Sequence, residues 1–209
     1  MIKVDRIPSD EAELAQLWIR FRSGDGEAFD RIAALRYREL YNYATRFTKD
    51  TELVKDCIQD LFLELWSRRE NLVENPYVTV YLIKSLRNNL FRKLKIQKRL
   101  GDSVDIQGDT HAFTDGLTVE SEWIAEEFLH ESEQTIRQAI AQLPKRQQEV
   151  IFLKYYEGLS NEEIASIMDI EKQTVANFLY RSLTQLKKHL PSIIKLLPMP
   201  LFKLLCQLQ

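Results

Sequence analysis

The stretch Leu143–Leu190 reads LPKRQQEVIFLKYYEGLSNEEIASIMDIEKQTVANFLYRSLTQLKKHL and holds three short helical patterns in close succession. Pro144 suits a first helical position, and Gly158 suits a stop after the apolar set Val150, Ile151, Leu153 and Tyr156. Ser160 and Glu163 have the spacing of a capping box, in which each side chain satisfies the other's backbone amide. Ile164, Ala165 and Met168 give the second helix its apolar side, and Asp169-Ile170-Glu171 breaks it. A longer helix starts near Lys172, with Val175, Leu179, Leu183 and Leu186 on one stripe. Short helix, tight turn, longer helix is the helix-turn-helix pattern. The other face of the long helix carries Lys172, Gln173, Asn177, Tyr180, Arg181 and Thr184, donors that reach base edges and phosphates when a helix lies in a major groove. The same periodicity also describes an ordinary helical bundle with a solvated outer face, so both readings stand on this stretch alone.

The totals bound the alternatives. The 209 residues suggest one or two domains, and with 44% hydrophobic residues the chain can bury a core. The net charge of −2 hides a sharp asymmetry. Lys84 to Arg99 holds seven Lys/Arg and no acid, whereas Gly101 to Ile136 holds ten Asp/Glu and no Lys or Arg. Cys57 and Cys206 sit in apolar helical settings, which fits buried thiols in a reducing compartment better than a disulfide scaffold. There is no N-terminal signal pattern and no run long enough to span a bilayer, so a cytoplasmic protein without membrane insertion is expected. His111, His130 and His189 are scattered, and neither a Gly-rich phosphate loop nor a Cys/His metal spacing occurs. An enzyme is not expected, nor a cofactor, metal or small-molecule substrate.

Upstream, helix follows helix, and Gly and Pro are scarce at six each. Ser9 is placed to cap a first helix through Leu14, Leu17, Trp18 and Phe21, and Gly24-Asp25-Gly26 ends it. A second helix is predicted from about Glu27 to Phe47, with Phe29, Ile32, Leu35, Leu40, Tyr43 and Ala44 at helical spacing. Lys49-Asp50-Thr51 forms the next turn and cap. In the third helix, about Thr51 to Ser67, Val54, Cys57, Ile58, Leu61 and Leu65 form a core stripe. Phe62, Leu63 and Trp66 widen its apolar surface, beside Asp56, Gln59, Asp60 and Glu64. That patch is either a partner surface or the second buried side of a helix covered twice. A fourth helix starts at Asn75-Pro76 and interleaves Tyr77, Tyr81 and Phe91 with Lys84, Arg87, Arg92, Lys93, Lys95, Lys98 and Arg99. Cations track phosphates and rings stack on bases, so this composition suits a single strand, with Asn88 and Asn89 able to bond a base edge. A solvated basic face is the alternative, though solvated helices ordinarily mix signs for i,i+4 pairing. Gly101 to about Thr118 loses periodicity and reads as a linker. Helical pattern resumes near Val119. The apolar, Pro-broken tail from Pro191 to Gln209 either packs back on the last domain or forms a partner patch.

These pieces resemble bacterial RNA polymerase sigma factors of the sigma-70 family, and the compact size resembles the extracytoplasmic-function group. The segments that carry the resemblance are DCIQDLFLELW, NPYVTVYLIKSLRNNLFRK and LPKRQQEVIFLKYYEGLSNEEIASIMDIEKQTVANFLYRSL, in that order. The resemblance implies an all-α chain of two small helical domains joined by an acidic linker. Residues 1–100 would be a promoter-melting, core-binding domain, 101–132 an acidic linker running into a helix, 133–190 a helix-turn-helix domain and 191–209 an apolar tail. It further implies core RNA polymerase and promoter DNA as partners, with an anti-sigma factor as a possible third. Asp56, Gln59, Asp60, Leu63 and Trp66 would dock on the polymerase clamp. The segment Val73 to Thr79 would trap a base flipped from the −10 element, and Tyr77, Lys84, Arg87, Asn88 and Arg92 would contact that strand. Lys172, Gln173, Thr174, Asn177 and Arg181 would read the −35 element. Ala176 stands where relatives often carry a basic residue, Glu171 takes the usual small polar cap slot, and the tail is not part of the family pattern. The rival readings are a stand-alone helix-turn-helix regulator, binding a palindrome without polymerase, and a helical adaptor that binds no DNA.

Overall fold

The computed structural model describes residues 9–74, 77–100 and 138–189, and among them every regular element is helical and no strand occurs. The chain divides into two compact units, Met1–Gly108 and Asp109–Gln209. The expectations for Asn75, Pro76, the acidic segment, Cys206 and the apolar tail fall outside the described residues.

The first unit contains α1 (Ser9–Arg22), α2 (Gly26–Ala44), α3 (Thr51–Arg68) and α4 (Val78–Leu100), with a 3-10 turn at Arg69–Asn71 after α3. Its turns are set locally. Gly24 adopts φ +94°, which an L side chain would resist. Asp25 then caps α2, accepting the Ala28 N–H at 3.1 Å while Arg20 pairs with its carboxylate at 2.7 Å. Both contacts, the Ala28 amide foremost, hold that carboxyl below its ordinary pKa. Asp50 caps α3 in the same way through Leu53 N–H at 3.0 Å. Helix α2 stops at Ala44, three residues short of the predicted Phe47. The early stop turns Phe47 inward, where it meets Tyr43 and Phe91 at 5.1 Å each and is buried. Helix α4 is described from Val78, where a carboxylate from α1 serves the first turn: Glu11 accepts the Thr79 N–H at 3.1 Å and its O–H at 2.6 Å.

The core of this unit is Leu14, Trp18, Phe21, Ile32, Leu40, Tyr43, Val54, Ile58, Leu82, Leu86 and Leu90, all at or below 2% exposure. Cys57 is buried with them, and burial raises its thiol pKa. The second side of α3 is open. Leu63 is 60% exposed, and Phe62 and Trp66 are half-buried, so α3 is covered on one side only.

The second unit contains helical residues 138–141, then α5 (Lys145–Tyr155), α6 (Asn161–Met168) and α7 (Lys172–His189). Pro144 is the cap of α5, one place earlier than predicted. Its ψ of 142° is extended, and its carbonyl accepts the amides of Gln147 and Gln148. Gln148 is buried and donates back to the carbonyls of Ala141 and Leu143, which closes the turn before α5. Gly158 adopts φ +70° and Ser160 with Glu163 completes the capping box. Tyr156 departs from the predicted core stripe: it is 57% exposed and stacks on Phe152. The apolar stripe of α7 is buried as predicted, at Val175, Leu179, Leu183 and Leu186. No helix among the described residues is long and apolar enough to cross a membrane.

Tyr155 carries a buried hydroxyl that lacks a hydrogen-bond partner among the described residues, and burial pushes its pKa from 10.0 up to about 12. A raised folded-state pKa means stability that is intact below the unfolded value and lost as pH climbs toward the folded one. Tyr155→Phe is therefore expected to stabilise the second unit by about 1 kcal/mol at neutral pH. It is also expected to remove the decline in stability between pH 10.0 and about 12. Urea denaturation followed by circular dichroism across that range checks both.

Candidate nucleic-acid and protein interfaces

Three surfaces bring the candidate residues together. The first is the outer face of α7. Because Val175, Leu179, Leu183 and Leu186 face inward, the helix turns Lys172, Gln173, Asn177, Tyr180, Arg181 and Thr184 outward, all exposed, with Thr174 and Ala176 half-buried at the margin. The α6–α7 turn depends on Asp169, whose φ of 53° and ψ of 52° are left-handed, a conformation that Asp tolerates better than most residues. Glu171 then starts α7 through its carbonyl, which accepts the amides of Thr174 and Val175. Gln173 donates to Asn177 at 3.4 Å, presenting two carboxamides side by side, whereas the Thr184 hydroxyl turns back onto the Tyr180 carbonyl. Lys172 pairs with Glu162 of α6, and that ammonium is the chief reason the Glu162 carboxyl lies below its ordinary pKa.

The second surface lies between α3 and α4. A cavity of about 240 Å³ is lined by Leu61, Leu65 and Leu72 below and by Glu64, Arg68, Tyr81, Ser85, Asn88 and Asn89 around them. Arg68 and Glu64 pair at 2.9 Å at its edge. An aliphatic floor under an amide, hydroxyl and charged rim suits a planar ring with hydrogen-bonding edges. Asn88 and Arg92 are exposed, Tyr77 is 53% exposed, and Lys84 is half-buried. Lys95, Lys98 and Arg99 continue the cationic surface in water. Arg87 departs from the expectation of a strand contact. It is 8% exposed, and its guanidinium sits 4.4 Å from the Phe91 ring centre, one helical turn on. It is buried along α4 and not exposed beside Asn88 and Arg92. Arg68, Leu72 and Ser85 were not singled out from sequence, and Glu64, read there as part of the α3 partner patch, lines this cavity instead; the i,i+4 spacing of Glu64 and Arg68 was the only local signal.

The third surface is the outer side of α3. Gln59, Leu63 and Trp66 line an open apolar hollow of about 480 Å³ together with Phe62 and, from α2, Gly26, Phe29 and Asp30. Phe29 lies 5.2 Å from Trp66 and 5.9 Å from Phe62, ring to ring, so it lines this hollow in addition to following the predicted stripe of α2. Asp56 is exposed on the same helix. Asp60 leans the other way and binds Lys93 of α4 at 2.7 Å, a bond that raises the lysine pKa.

The pair between Lys172 and Glu162 competes with any phosphate for the same ammonium. Glu162→Gln is expected to tighten duplex binding and to steepen its dependence on log salt concentration by about one. A salt titration of duplex binding by the variant and the parent measures this.

Two family models match the chain, in order: Sigma-70 region 2 over residues 33–100 and Sigma-70, region 4 over residues 133–186. The RNA polymerase sigma-H factor of Pseudomonas aeruginosa is 26% identical over 188 residues, covering 86% of this chain and 95% of that protein. The ECF RNA polymerase sigma factor SigW of Bacillus subtilis is 27% identical over 177 residues, covering 81% and 92%. Among solved structures, the sigma factor RpoE of Bartonella quintana, crystallised with the anti-sigma factor NepR, matches with a TM-score of 0.57 and 20% identity over 78% of this chain and 97% of that one. CnrH, in complex with the cytosolic domain of CnrY, matches with a TM-score of 0.55 and 18% identity over 86% and 98%. The structural likenesses establish the helical fold. The two matched regions, which together take in α3, α4, α5, α6 and most of α7, establish the rest: the chain belongs to the sigma-70 family of RNA polymerase sigma factors.

Proposed function

We propose that this chain directs transcription initiation by binding core RNA polymerase through the outer side of α3, holding a base of the melted −10 strand beside Asn88, and reading the −35 duplex with α7. As a sigma factor it is an initiation factor and not an enzyme. The observation that supports the reading best is the pairing, on one chain, of a cavity beside an acid-free cationic helix with a separate helix that exposes Lys172, Gln173, Asn177 and Arg181. The two are suited to different states of DNA. A cavity accepts a base only after it leaves the stack, at a cost of a few kcal/mol. An exposed helix with carboxamides and an arginine reads paired bases in a major groove.

The roles follow from placement. Gln173, Asn177 and Arg181 are the base readers, Lys172 and Thr174 lie at the helix start against the backbone, and Ala176 offers only an apolar contact. Asn88 bonds the edge of the seated base, Tyr77 stacks, and Lys84 and Arg92 follow the phosphates. Leu63, Trp66 and Gln59 form the contact with the polymerase, with Asp56 beside them. Asp60 contributes there only by giving up Lys93. An anti-sigma protein is a further expected partner, since both solved relatives were captured with proteins bound.

Run-off transcription with core polymerase and this protein tests the whole reading, and promoter-dependent transcripts are expected. Tight binding of a palindromic duplex by the protein alone, without transcripts, would favour the stand-alone regulator. Within that assay, Leu63→Asp is expected to abolish polymerase binding while circular dichroism stays unchanged, because the residue is 60% exposed. Arg181→Ala is expected to cost about 1–3 kcal/mol at one base pair of the −35 element. Asn88→Ala is expected to slow promoter opening, read by permanganate reactivity, more than it weakens initial binding.

A further inference from the structure

Helix α1 ends at Arg22, ahead of residue 33 where the region 2 match begins. Its buried side chains nevertheless reach the cavity wall. Trp18 is 1% exposed, and its indole N–H donates to the Val73 carbonyl at 3.0 Å. Val73 directly follows Leu72, which lines the cavity. The same indole meets the Tyr81 ring edge-on, 5.4 Å between centres at 64°, and Tyr81 lines the cavity as well. About two turns earlier, Glu11 holds Thr79 by both its N–H and its hydroxyl, two residues before Tyr81. Arg36 of α2 lies 3.7 Å from that carboxylate and binds Glu39 with the same guanidinium, so the glutamate is itself fixed.

We infer that α1 is a positioning element for the base cavity, in which Trp18 and Glu11 fix Leu72 and Tyr81 at the separation the seated base requires. The inference rests on the reading of that cavity as a base seat. Neither residue touches the base. They act through the wall: Trp18 sets where the chain leaves the α3 side, and Glu11 sets where α4 begins. A wall fixed beforehand need not be ordered when the base enters, so the ordering cost is removed from the melting step. A helix that served only to cover the core would need Trp18 for its bulk, and neither the indole N–H nor the Glu11 carboxylate would matter for DNA.

The test uses holoenzyme, core polymerase with the full chain, and a fluorescent single-stranded −10 oligonucleotide. Each position of the oligonucleotide is replaced in turn by an abasic site, and the seated position is the one whose loss weakens binding. Trp18→Phe keeps an aromatic ring and removes the donor together with part of the bulk, so the strand-preference ratio, and not overall binding, is the readout. The variant is expected to lower the preference for the intact strand over the abasic one by about fivefold, the effect of losing one hydrogen bond, with polymerase affinity unchanged. Glu11→Gln, which keeps shape and removes the charge, is expected to lower the same ratio and serves if the tryptophan variant folds poorly. Equal weakening toward both strands, with the ratio intact in both variants, would overturn the positioning role while leaving the cavity as a base seat. A parent holoenzyme that shows no preference at any position would overturn the base seat itself, and the positioning role with it.

Discussion

Helix α4 must bury an aliphatic stripe while keeping a row of like charges in water, and the first unit is built around that constraint. Val78, Leu82, Ile83, Leu86 and Leu90 are at or below 1% exposure and meet α1, α2 and α3. Burying a side chain of this kind contributes about 1.5–3 kcal/mol. On the outer side, Arg92, Lys95, Lys98 and Arg99 are exposed neighbours three or four residues apart. Like charges at that spacing cost a few tenths of a kcal/mol per pair. The burial term exceeds the repulsion several-fold, so the helix holds without acids of its own to neutralise the row. The cations are thereby left in a position to be neutralised by a polyanion, with counterion release adding to the binding.

What was legible in the sequence was local. The Ser160–Glu163 capping box, the Asp50 cap, the break at Gly24-Asp25-Gly26 and the turn at Asp169 all depend on bonds between residues a few places apart, and the chain forms each where its residue types require it. The buried stripe of α7 was legible for the same reason, since its period is that of the helix. What was missed was set by tertiary partners. The bond that Glu11 makes to the first turn of α4 was not legible, because its partner Thr79 lies 68 residues later. Asp60 looked like a partner-facing acid because nothing near it in sequence shows that Lys93 packs across from it. Phe29 fitted the stripe of α2, and only the fold puts it against Trp66 in an open hollow. Arg87 is the exception: Phe91 lies one turn away, a pairing that the i,i+4 rule could have found.

On the reading proposed above, the two nucleic-acid surfaces divide affinity from specificity in different ways. On α7, one cation at the helix start is held by Glu162, and the central face carries amides and a single arginine. That arrangement favours directional bonds over charge, which suits reading paired bases. On α4, exposed cations share the helix with Tyr81, Ser85, Asn88 and Asn89, which line one cavity with a charged and amide rim. There the charge attracts the backbone from any sequence, and discrimination falls to the single seat. A strand bound only by charge would slide, whereas a base in the seat fixes register.

On the same reading, helix α3 joins the polymerase surface to that seat because it serves both with opposite sides. Leu61 and Leu65 form the cavity floor, while Gln59, Leu63 and Trp66 line the hollow behind it. The two sets alternate along one rigid helix, and the helix is locked at its end by Arg69, which donates to the Trp66 carbonyl at 3.0 Å and lies 4.9 Å from its ring centre. Lys93 and Asp60 tie the same helix to α4. A partner seated on Leu63 and Trp66 therefore grips the floor of the base cavity through one helix diameter of packed side chains, and no hinge intervenes. On the reading proposed above, docking on the polymerase fixes the seat relative to the enzyme's own channel. Mobility of α3 would uncouple them, which is why both of its faces, and not only the buried one, are constrained by charge and ring contacts.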